Sequence, residues 1–169
     1  MLEAGCYTQP SLGASMLEVL LDLWACLRAA QHLYWTLHWQ AKGPTFYGDH
    51  LLFERLYSAR AEEIDGLAEL IAGTYGSVHL DPVQAWNAAS AKITEARGGT
   101  APGIAEMVLE SAEAANRAVV GANVQFPGAV QNFIQGVATA HLNDLYLLRQ
   151  RFAAGGGSAP PSPLPSVLR

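Results

Sequence analysis

Residues 47–72 read YGDHLLFERLYSARAEEIDGLAELIA, and the spacing of their apolar side chains predicts one long helix. Phe53, Leu56, Tyr57, Ile64, Leu67 and Ile71 fall on one stripe at three- and four-residue steps, without the alternation of a strand. Gly73 follows the expected end at Ala72, where a left-handed cap is wanted. Upstream, Leu17, Leu20, Leu21, Trp24 and Leu27 mark an earlier helix over about 15–42, which Gly43-Pro44 stops. Downstream, Asp81-Pro82 reads as an N-cap and first helical position, opening a short helix to about Ala91. A third long helix is expected over about 104–122, apolar at Ile104, Val108, Ala115, Ala118 and Val119. Pro127 starts a fourth, with Val130, Phe133, Ile134, Val137, Leu145, Leu148 and Phe152 in register.

Four long amphipathic helices with no alternating strand runs make an all-α four-helix bundle, with the short helix between the second and third. The bundle is expected over 15–153, after an extension at 1–14. Residues 154–169 hold three glycines and four prolines, the composition of a disordered tail.

The chain of 169 residues has the size of one domain, half of it apolar. Fifteen acids against ten lysines and arginines give a formal charge of −5, which argues against DNA binding through phosphate neutralisation. The apolar run 16–27 carries Glu18 and Asp22 and is too short to span a membrane. Cys6 and Cys26 have neither metal spacing nor a disulfide framework, which points to a reducing, cytoplasmic setting.

The chemistry concentrates in His38, His50, Glu54, Asp65 and Glu69, since imidazole with carboxylate suits iron and similar divalent metals; zinc and manganese fit the same ligand types. At about 100° per residue from His50, Glu54 lies at roughly 40°, Asp65 at roughly 60° and Glu69 at roughly 100°, all on one face. That face stands about 120° from the apolar stripe, and the small residues Ser58, Ala61, Ala68 and Ala72 between the ligands suit close approach of another helix. His50 and Asp65 are about 22 Å apart along a straight helix, whereas metal–ligand bonds are about 2 Å, so one chain cannot bring both to one ion. A two-fold axis across the middle of the helix would put His50 and Glu54 opposite Asp65 and Glu69 of a second copy, making two equal sites that His38 can join. An intra-bundle centre built on Glu-x-x-His pairs is disfavoured, because no such pair occurs and Asp144 is the fourth helix's only carboxylate.

The segment His38-Trp39-Gln40-Ala41-Lys42-Gly43-Pro44-Thr45-Phe46, followed by His50, Glu54, Asp65 and Glu69, resembles the Dps family of miniferritins. That family carries His-Trp-x-x-x-Gly-x-x-Phe-x-x-x-His and then Asp-x-x-x-Glu. The resemblance implies a ferroxidase that oxidises ferrous iron with hydrogen peroxide or dioxygen at a site between subunits. It further implies a homo-oligomer of twelve chains storing iron and protecting against oxidative damage. On this likeness His38, His50 and Glu54 come from one chain and Asp65 and Glu69 from its mate. Trp39 lies beside the site to accept stray oxidising equivalents. Leu70 stands where the family often has arginine, and the turn 121–127 lacks the family's acidic pore residues. Two other classes are expected to differ in test: a structural or DNA-protecting assembly with an idle metal site, and a cargo protein docked into a shell through its C-terminal tail.

Overall fold

A computed structural model of the chain describes residues 15–96 and 126–153. The expected third long helix, the N-terminal extension, the 121–125 part of the pore turn and the tail lie outside the described residues. The described part is an all-α helical bundle of α1 (Met16–Gln40), α2 (Phe46–Tyr75), α3 (Pro82–Ala96) and α4 (Gly128–Ala153), with a 3₁₀ turn at Ser77–His79. Among the described residues there is no strand, and no helix is long and apolar enough to cross a membrane.

Helices α1 and α3 begin where side chains supply partners for free N–H groups. Ser15 and Glu18 form a capping box: the Ser15 N–H donates to Glu18 Oε2 at 2.7 Å, and the Glu18 N–H donates to Ser15 Oγ at 3.3 Å. Asp81 Oδ1 accepts the Gln84 N–H at 2.8 Å, with Pro82 at the first helical position. The end of α2 corrects the expectation at Gly73. The helix runs on to Tyr75, and Gly76 (φ 99°) makes the turn instead, its N–H donating to the Ala72 carbonyl. Helix α3 likewise continues past Ala91 to Ala96.

The core forms two clusters. One joins Leu20, Leu23, Trp24 and Leu27 of α1 to Leu67 and Ile71 of α2 and to Val130, Ile134 and Val137 of α4. The other joins Ala30, Leu33 and Tyr34 to Phe53, Leu56 and Leu148. Full burial of each large side chain contributes about 1.5–3 kcal/mol. Trp24 also donates its indole N–H to the Ile64 carbonyl at 3.1 Å, binding α1 to α2 without leaving a polar group unpaired. Between the two clusters lie Arg60, Glu63, His141 and Asp144, a polar layer across the middle of the bundle.

Candidate metal centre

The five-residue turn between α1 and α2 returns the chain on itself. Gly43 (φ 81°) takes a backbone conformation that suits glycine, and its carbonyl accepts the Phe46 N–H at 3.0 Å. The reversal sets His38, in the last turn of α1, against His50, in the first turns of α2. Their rings stack at 3.7 Å between centroids with 24° between planes. His38 Nδ1 is 3.0 Å from the His50 carbonyl, and His50 Nδ1 is 3.2 Å from the His38 carbonyl. A carbonyl only accepts, so each Nδ1 carries the proton, and in the neutral ring the lone pair is then on Nε2. Two imidazoles are thereby held in one tautomer by the main chain, the arrangement that orients histidine for metal binding. Phe46 lies 5.1 Å from the His50 ring, and Tyr57 sets its edge 5.3 Å from the His38 ring.

The residue before His50 anchors this end of α2. Thr45 Oγ1 donates to Asp49 Oδ2 at 2.8 Å, and Arg151 Nη2 donates to the same oxygen at 2.7 Å while its Nε donates to Oδ1. This bidentate pair fastens the last turns of α4 to the start of α2. The Arg151 hydrogen bonds hold the Asp49 carboxyl below the usual aspartate range, against partial burial that acts the other way, and the Thr45 hydroxyl assists. A carboxyl depressed in the folded state contributes stability above its unfolded pKa and loses it as pH falls through the folded value. Asp49→Asn is therefore expected to cost roughly 0.2–1 kcal/mol at pH 7, with solvent screening included. Urea titrations should show the gap from wild type closing as the pH is lowered below the ordinary aspartate range.

Glu54, Asp65 and Glu69 are exposed, as are Ser58 and Ala61 between them, while Ala68 and Ala72 are half-buried. His50 and Asp65 stand on one unbroken helix, about 22 Å apart by its rise. Thus His38 and His50 come together, Glu54 follows one turn later, and Asp65 and Glu69 lie far along the same helix. Among the described residues, no three His, Cys, Asp or Glu side chains close on a point that could hold a metal ion. Trp39 is 63% exposed and packs on Trp35 at 4.9 Å, and Trp35 in turn lies 5.9 Å from Tyr57. Trp35 and Trp86 are both substantially exposed, unlike Trp24.

The polar layer is what sequence reasoning missed. Arg60 Nη2 donates to Asp144 Oδ2 at 2.7 Å and to Glu63 Oε1 at 3.0 Å, and Arg60 is 1% exposed. His141 Nε2 lies 3.0 Å from Glu63 Oε2. From the rim, Arg55 reaches Asp144 Oδ1 at 3.2 Å. Glu63 is a member of this layer, whereas its neighbour Glu62 is exposed. Burial, the largest effect, pushes the neighbouring Tyr34 phenol well up; Arg60 opposes it and the two carboxylates add to it. The signal for Arg60 was its register: it occupies the core stripe of α2 between Leu56 and Leu67.

No family model and no solved structure matches the chain. A DNA protection during starvation protein 2 of Bacillus anthracis is 32% identical to it over 90 residues. The match takes in 53% of this chain and 59% of that protein, so the chain spans somewhat more than half of its relative's length. That likeness supports a Dps-like kinship for the chain.

Proposed function

We propose that the chain is a ferroxidase subunit whose iron site is completed by a second copy. The observation that carries this reading is the reciprocal His38–His50 pair, with both Nδ1 atoms tied to main-chain carbonyls, at one end of an α2 face whose carboxylates are exposed. Ferrous iron is the substrate, and imidazole with carboxylate is a donor set suited to it. His38, His50 and Glu54 of one chain would bind beside Asp65 and Glu69 of a mate lying antiparallel across Ser58 and Ala61. The two-fold relation makes two such sites per pair. The carboxylates neutralise the incoming charge and stabilise the ferric product, while the fixed rings spare the site reorganisation. In the overall reaction two ferrous ions lose one electron each, and one hydrogen peroxide takes both to become two hydroxides. Trp39, exposed and next to His38 in sequence, would yield an electron to a stray one-electron oxidant. Assembly of such pairs into a hollow shell, and protection of DNA by removing iron and peroxide together, complete the reading that the Dps-like relative supports.

Ferrous oxidation by the full chain, followed as the rise of ferric absorbance with peroxide added under anaerobic conditions, tests this activity. The expected result is oxidation well above the protein-free rate, with protein eluting as a dimer or larger assembly. A rate no higher than buffer, or a monomer at every concentration, contradicts it.

A further inference from the structure

Two α2 helices laid head to tail without metal bring acids together. The two-fold relation that sets His50 level with Glu69 of a second copy also sets Glu54 level with its Asp65, and both of these carboxylates are exposed. Like charges level with each other across a seam repel, so the ligands themselves cannot hold two metal-free chains together. Another part of the face must do so.

Among the described residues of α2, two large side chains fall on that face and are exposed: Tyr47 at 73% and Leu51 at 43%. At about 100° per residue from His50, Tyr47 lies at roughly 60° and Leu51 at roughly 100°, the bearings of Asp65 and Glu69. Neither belongs to a core cluster, whereas Phe53, Leu56, Leu67 and Ile71 of the same helix are buried. The reversal runs about a point between Ala59 and Arg60. It sets Tyr47 level with Ala72 and Leu51 level with Ala68 of the second copy, while Ser58 and Ala61 meet at the crossing. Bulk therefore grows outward, with Leu51 about 13 Å and Tyr47 about 19 Å along the helix from the centre. Two straight helices that touch at small residues and cross at about 20° draw apart towards both ends, and larger side chains fill the widening gap.

We propose that Tyr47 and Leu51 are the apolar anchors of a dimer that forms before any metal binds, each packing at the far end of the second copy's α2. The proposal rests on the shared-site reading and adds that apolar contact, not the ion, brings the two half-sets of ligands together. A site assembled in advance spares the ion the cost of joining two free chains. Both are positioning residues, acting through the ligands that they align.

Sedimentation velocity of chelator-treated full-length protein, over a concentration series, reads the metal-free assembly. The wild type is expected to remain a dimer or larger, and Tyr47→Ala/Leu51→Ala to dissociate at concentrations at least about 10-fold higher. Both side chains are exposed in the single chain, so the variant should keep the wild-type circular dichroism. Its ferrous oxidation per chain should climb back as protein concentration is raised, which a loss of folding would not show. Register is read separately with Tyr47→Cys/Ala72→Cys in a Cys6→Ser, Cys26→Ser background. Oxidation without metal should give a covalent dimer, whereas either new cysteine alone should not, since each lies about 37 Å from its own copy. Dissociation of the alanine variant at the wild-type concentration overturns the anchoring, and so does a double-cysteine protein that stays uncrosslinked. A wild type that pairs only when ferrous iron is added overturns it too, yet leaves the shared site standing. A wild type that is monomeric with iron present removes both.

Discussion

Arg60→Met should destabilise the protein by about 3–5 kcal/mol, the cost of leaving a buried charge without its partner. Methionine fills much of the arginine's volume, so the loss is electrostatic rather than a cavity effect. Asp144 would keep only Arg55, which is at the rim with its side chain 59% exposed, and Glu63 only the His141 ring. For a chain of this size that is a fall in melting midpoint of roughly 10 °C. Removing the whole set tests the cause. Replacing the acids by apolar residues of similar volume in the Arg60→Met background should recover most of the stability, since a buried ionic group replaced as a unit is often neutral. If the single variant melts within a degree or two of wild type, the layer is not the buried ionic lock described above.

The second large effect concerns the imidazole pair. His50→Ala should lower the ferrous oxidation rate by at least about 10–100-fold, the range for losing a group that merely orients a metal ligand. His38→Ala should do the same without unfolding the protein, because the rings are tied to main-chain carbonyls, not to each other's side chains. Deleting one ring therefore leaves the other's tautomer fixed, and each single variant should retain weak metal binding that the double variant lacks. Equal rates in wild type and His50→Ala would remove the pair from the reaction.

The architecture was legible because the apolar stripes of α1, α2 and α4 are regular, and because Ser15 and Asp81 stand where helices must begin. The helix ends were less so. Gly73 and Gly76 are both plausible stops, and packing of Tyr75 against the core extends α2 to the second. For the site, residue types and helical pitch brought His38 and His50 to adjacent ends of two helices, but not the reciprocal hydrogen bonds, which depend on the turn at Gly43. The Asp49–Arg151 pair was invisible because 102 positions separate its members and neither lies in a motif. Arg60 was hidden by habit of reading: a charged residue on an apolar stripe looks like an interruption, until Asp144 and His141 appear on the facing stripe of α4.

The Dps-like kinship bears on about half of the chain, and the account of the α2 face goes further than that likeness. It depends on whether residues at opposite ends of one helix work together. Mixing inactive His50→Ala chains with inactive Asp65→Ala chains, under conditions in which subunit exchange is verified by mass, measures this directly. A mixed pair contains one site with both defects and one with neither, so ferrous oxidation should reappear at up to about one quarter of the wild-type rate at equal mixing. No recovery in fully exchanged protein would contradict the shared site.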